Sequence, residues 1–186
     1  MTGPRRWNPQ QRPRFHGSVF RYVPHHATNP ADGSFAQIHG GHWNPPGTFA
    51  VLYTSCSRDV VIANLWRKHE GRAFQPWELA EEDQPDLYEL EVDQEGLVDV
   101  ATDTGIAGVG LPASYPIGVD YTRTQPIGLR LHREQRPGVW CRSAARPTGQ
   151  EIALFLDYSA RPRLVDTPLR LPEWFPVPPG ENEASE

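Results

Sequence analysis

Apolar and polar positions alternate most regularly in LYELEVD (87–93), where Leu87, Glu89 and Glu91 interleave with Tyr88, Leu90 and Val92. A two-residue period predicts a strand with one buried face. SVFRYV (18–23) follows the same rule. FAVLYTS (49–55) is rich in residues that suit a buried strand, and EIALFL (151–156) reads as a strong strand. GLVDVA (96–101), GVWCRS (138–143) and RPRLVD (161–166) read as further strands.

After Ser55 the spacing changes. Ser57 or Asp59 is placed to cap a helix whose inner face carries Val61 and Leu65, flanked by Ile62 and Trp66. Lys68 and His69 suit its C-terminal end and Gly71 its stop. A second, shorter helix is predicted over 124–134, starting near Pro126. Residues 24–39 and the acidic 75–86 read as loops, 102–118 yield no assignment, and the chain from Pro172 onward reads as extended. Strands separated by loops outnumber helices. The expected fold class is α+β: a single domain with a mixed, mostly antiparallel sheet and a few short helices.

Composition narrows the function. The 186 residues suit one domain, with 38% hydrophobic and 22% charged residues. Proline (20) and glycine (16) are spread through the chain, which disfavours long helices. No apolar run is long enough to span a bilayer and no signal peptide is evident, so a cytoplasmic protein without a membrane partner is expected. A net charge of −5 argues against direct nucleic-acid binding. Arg5, Arg6, Arg12 and Arg14 mark residues 1–17 as a flexible basic segment. Glu181, Glu183 and Glu186 mark 172–186 as an extended, proline-rich acidic tail, leaving 18–171 as the domain. Cys56 and Cys141 form no disulfide framework and are expected reduced and packed. His25, His26, His39 and His42 match no zinc spacing, so no metal is expected. Neither a phosphate-binding Gly-Lys-Ser/Thr loop nor a dinucleotide fingerprint is present.

Four blocks, in order, carry a family resemblance: FRYVP with Arg21; GGHWNPPGTFAVLYTS (40–55); LVDV followed by TQPIG; and GVWCRSAARPTGQEIALF with Ser143. Together they resemble the RES domain, the toxin half of a bacterial toxin–antitoxin family named for an arginine, a glutamate and a serine. The likeness spans roughly residues 18–157. It implies a fold related to ADP-ribosyltransferases and an activity that consumes NAD by breaking the nicotinamide–ribose bond. ADP-ribose then passes to water, phosphate or a protein. It also implies an antitoxin partner with a helix-turn-helix region that blocks the pocket.

The resemblance assigns candidate residues. Arg21 has the fork geometry for a pyrophosphate; by its position alone it also fits a surface ion pair. His42 stands where the family has arginine. It is open both to bonding a phosphate or ribose, with pH dependence near neutrality, and to bonding loop backbone. Tyr53 fits a stacking partner for nicotinamide or adenine, or a core tyrosine. Ser143 suits a phosphate or ribose hydroxyl and has no nucleophile elbow around it. Asn64 occupies the family's glutamate position. Glycosidic cleavage develops positive charge on the ribose, and a missing carboxylate costs about 3 kcal/mol, roughly a hundredfold or more in rate. Glu70 lies about 240° further round the helix and is a poor substitute. On these grounds Asn64→Glu is expected to raise cleavage. The alternative is a degenerate RES domain that binds a nucleotide or a protein without turnover.

Overall fold

The computed structural model describes residues 7–25, 27 and 29–176. Strands β1 (Phe15–Pro24), β2 (Val51–Ser55), β3 (Pro85–Gln94), β4 (Val98–Val100), β5 (Gly138–Arg142), β6 (Gln150–Phe155) and β7 (Arg163–Leu164) form one sheet. Their order is β4-β5-β6-β2-β1-β3-β7. Every pairing is antiparallel except β4 with β5, so the sheet is mixed and mostly antiparallel. Helices are α1 (Ser34–His39), α2 (Arg58–His69), α3 (Asp103–Gly108), α4 (Tyr121–Arg133) and α5 (Leu171–Trp174). This is the α+β domain that the strand pattern predicts. Among the described residues no helix is long and apolar enough to cross a membrane.

The burial of the central strands explains their apolar runs. On one face, Val51 of β2 and Ala153 and Phe155 of β6 pack with Trp43, Val139 and Leu131. On the other face, Leu52, Ile152 and Leu154 pack with Val19, Leu90 and Val92. Both faces of β2 and β6 are therefore buried. Helix α2 lies across the first face: Val61 and Leu65 meet Leu87, Phe20 and Tyr22. Its start follows the sequence closely, because the Ser57 Oγ accepts from the Val60 amide at 3.4 Å.

Several expectations are corrected. Residues 24–39 are not all loop: the Asp32 carboxylate accepts from the Ser34 amide at 2.9 Å and starts α1, which buries Ala36. Helix α4 begins at Tyr121, not near Pro126, because Asp120 caps it through the Thr122 amide. Thr102 caps α3 within the unassigned 102–118 stretch. The basic N-terminal segment is docked from Trp7 onward. Trp7 packs on the core, Arg12 lies 4.0 Å over the Trp140 ring, Arg14 pairs with Asp93, and β1 already starts at Phe15. The chain does not become extended at Pro172 either. Trp174 and Phe175 are buried beneath α2, and that apolar pair folds Leu171–Trp174 into a helical turn. Arg5, Arg6, His26, Glu181, Glu183 and Glu186 lie outside the described residues.

Candidate active site

The glycine-rich loop after α1 is built around one hydroxyl. Gly40 adopts φ +75° and its N–H donates to Ala36 O at 2.8 Å, ending the helix. At Gly41 a Cβ would lie 2.5 Å from the Tyr53 ring, so only glycine lets the loop sit on it. The Tyr53 hydroxyl accepts from the Trp43 amide and donates to Asn44 Oδ1, both at 2.8 Å. Asn44 Nδ2 in turn donates to Ala36 O and Phe49 O. Helix α4 closes the other side: Gln125 Nε2 donates to Gly41 O at 3.0 Å and Asn44 O at 3.2 Å. Gly128 allows the helix backbone to press on the Trp43 carbonyl, since a Cβ there would sit 1.7 Å from its oxygen. The loop is rigid because buried hydrogen bonds hold it from two sides.

This rigid loop presents His42 to a cleft of about 1110 Å³. Asn64, Arg67 and Lys68 of α2 form one wall, residues 115–122 face them, and Glu151 of β6 also lines it. The size exceeds what a drug-sized ligand needs and suits an extended one. His42 Nε2 lies 3.4 Å from the Tyr115 hydroxyl, and its ring meets Tyr121 edge-on at 5.6 Å. Burial, and then the nearby charge of Arg67, lower the His42 pKa to about 4. The imidazole is therefore neutral at pH 7, and the pH dependence expected from it near neutrality is removed.

Charge is distributed unequally along the walls. Arg142 lines the cleft with its guanidinium held by Ala101 O and Asp103 Oδ1, each at 2.7 Å. Arg67, exposed one turn beyond Asn64, has no hydrogen-bond or ion-pair partner among the described residues. Glu151 lies opposite Ser55 on β2 and Cys141 on β5. Asn64 Nδ2 donates to its Oε1 at 2.8 Å, and the Ser143 hydroxyl donates to the same carboxylate. The Ser143 Oγ also accepts the Ala145 and Arg146 amides at 3.2 and 3.3 Å. Among the described residues no Lys, Arg or His nitrogen lies within 4 Å of Glu151. Burial raises its pKa, partly offset by the bonds from Asn64 and Ser143 and by the charge of Arg67.

The five residues chosen from sequence thus fall in four places. His42 and Asn64 line the cleft, and Ser143 lies buried against Glu151. Tyr53 supports the His42 loop from behind and is not among the cleft-lining residues. Arg21 alternates with Phe20 and Tyr22 and so points away from α2, to the opposite face of the sheet. There its Nη1 donates to Pro30 O at 3.0 Å and Asp32 O at 2.8 Å.

Sequence reasoning missed Glu151, Arg67 and Tyr121. Glu151 carried a signal: it alternates with Ala153 and Phe155, so a carboxylate stands at an inward position of an apolar strand. Arg67 is three residues beyond Asn64 and therefore shares its helix face. Tyr121 had no local signature, because it reaches the cleft only through α4 starting earlier than predicted. The cysteines are free, with Cys141 buried and the Cys56 thiol pushed up to about 12 by burial.

The fold and the family are shown by comparison with known proteins. A chain in the crystal structure of the M. tuberculosis MbcT-MbcA toxin-antitoxin complex shares the fold, with a TM-score of 0.68 at 20% identity over 88% of this chain and 90% of that one. No curated protein matches the sequence. The family model for the RES domain matches residues 14–174, from the docked N-terminal segment to the buried Trp174. The chain belongs to the RES domain family.

Proposed function

We propose that the protein is a RES-type toxin that consumes NAD by cleaving its nicotinamide–ribose bond. One observation carries the reading. A single cleft holds a carboxylate with no cation within ion-pairing distance and a guanidinium with no anion, Glu151 and Arg67, among the described residues. NAD presents the complementary pair, an anionic pyrophosphate and a ribose that becomes cationic as its glycosidic bond breaks. Arg67 suits the pyrophosphate, with two parallel hydrogen bonds available to it. Tyr121, 54% exposed at the mouth, offers a face for a base to stack on. When the bond breaks, its electron pair leaves with nicotinamide, which becomes neutral. The positive charge stays on the ribose until water or a phosphate adds, water losing one proton as it does so. A protein acceptor follows the same first step.

A partner belongs to the proposal. The structural neighbour was solved as a toxin-antitoxin complex. By analogy this chain pairs with an antitoxin bearing a helix-turn-helix region, which covers the cleft. A second reading is favoured by Asn64 and the neutral His42: a RES domain that binds a dinucleotide without turnover.

Purified protein incubated with NAD separates them. Nicotinamide release over many turnovers, with KM raised in Arg67→Ala, supports the enzyme. Saturable NAD binding without release supports the second reading, and neither binding nor release contradicts both.

A further inference from the structure

We infer that the carboxylate of this site has moved from helix α2 to strand β6, with Glu151 as the catalytic carboxylate and Asn64 as the residue that positions it. This rests on the NAD-cleaving reading above.

Three observations converge on Glu151. The first is placement. The side chain lines the cleft from β6, between Ser55 and Cys141 on the neighbouring strands, and faces the turn of α2 that carries Asn64. The second is cost without structural return. A largely buried carboxylate is expensive to keep ionised, and among the described residues no cation lies within ion-pairing distance of it, the more distant charge of Arg67 supporting it less than its two hydrogen bonds do. Its donors are neutral, the Asn64 amide at 2.8 Å and the Ser143 hydroxyl. Such an arrangement fixes a negative charge in place and leaves that charge available to a developing cation.

The third is the identity of residue 64. Asn64 Nδ2 also reaches the Ser55 Oγ at 3.4 Å, so the amide bridges α2 to both central strands. A glutamate at 64 would place a second carboxylate at hydrogen-bond distance from the first. Two such groups cannot both ionise, and one would hold a proton. Asparagine is therefore the partner that an ionised Glu151 needs, and its presence is no sign of decay.

In the reaction, the Glu151 carboxylate faces the ribose as the bond to nicotinamide breaks and positive charge develops there. No proton need move at that step. Ser143 and Asn64 hold the carboxylate orientation by donating to it.

The sign of the Asn64→Glu effect is thereby reversed from the sequence expectation: the single change lowers turnover. The test is nicotinamide release, as kcat and KM, for wild type, Glu151→Gln, Asn64→Glu and the exchange variant Asn64→Glu/Glu151→Asn. Circular dichroism confirms folding of each. The expected result is a loss in kcat of about a hundredfold or more for Glu151→Gln, with KM within a few-fold. Asn64→Glu loses activity too, and the exchange variant recovers at least tenfold over Glu151→Gln. The acidic limb of the wild-type kcat/KM profile lies above the usual glutamate range and disappears in Glu151→Gln. Wild-type cleavage that persists within a few-fold in Glu151→Gln overturns this inference and leaves the NAD reading intact. Asn64→Glu exceeding wild type also overturns it. Absence of both NAD binding and cleavage in wild type overturns the parent reading and this inference with it.

Discussion

Arg21 and Glu151 are both charged side chains on interior strands of one sheet, and both are desolvated. They face opposite sides, and their surroundings differ in kind. Arg21 is held by the backbone carbonyls of Pro30 and Asp32, which fix the segment leading into α1. Glu151 is held by two side-chain donors and opens onto a cleft. A buried charge tied to backbone serves the fold. A buried charge oriented by side chains and left facing a cavity is available for chemistry. Burial lowers the Arg21 pKa and raises that of Glu151, so desolvation opposes the charge in each. The hydrogen-bonding partners and the open cleft tell them apart.

That contrast can be broken by mutation. The largest stability effect is expected at Arg21. Arg21→Met leaves two carbonyls without their donor and should lower unfolding free energy by about 1.5–3 kcal/mol in urea titration. A protein as stable as wild type would show that the Arg21 bonds contribute nothing. Tyr53→Phe comes next. It strips the partner from the buried Trp43 amide and from Asn44, and a loss of about 1–2 kcal/mol is expected, with a fall in melting temperature. If Tyr53 were instead a stacking surface, phenylalanine would leave stability and NAD affinity nearly unchanged. Arg67→Ala should raise KM for NAD about tenfold, worth about 1.4 kcal/mol, with stability little moved because the exposed side chain has no hydrogen bond or close ion pair to lose among the described residues and acts on Glu151 and His42 only through its charge.

The smallest effect concerns His42. With its folded pKa near 4 and an unfolded value near 6.5, the unfolded chain binds the extra proton between those values. Stability should fall as pH drops from about 6.5 toward 4. KM should show no histidine titration between pH 6 and 8, and an inflection near 6.5 would mean that the imidazole is solvated.

The sequence made the strands legible because β1, β2, β3 and β6 carry either alternation or long apolar runs. Helix α2 was readable from Ser57 to Gly71 for the same reason, with cap, stripe and stop all local. Helix α1 was not, because its start depends on Asp32 and its six residues bury only Ala36. In the site, the loop around His42 stood out through its glycines, and Asn64 and Ser143 through the family pattern. The side on which Arg21 falls depends on its register against β2, where Phe20 pairs with Ser55. Glu151 was visible only as a wrong-looking residue in an apolar strand. Its meaning required knowing that Asn64 sits 2.8 Å away across 87 residues of chain.

The most direct test of the central claim pairs two measurements on one preparation of Glu151→Gln: unfolding free energy and kcat for nicotinamide release. A carboxylate whose pKa is raised on folding loses stability for the protein as pH rises through that value. The amide should therefore be more stable than wild type at pH 7, with the gap closing as pH falls from the raised folded value to the ordinary glutamate value of about 4.3, while turnover falls about a hundredfold or more. A variant that is less stable and fully active would place Glu151 in the fold's support, alongside Arg21, and contradict the account.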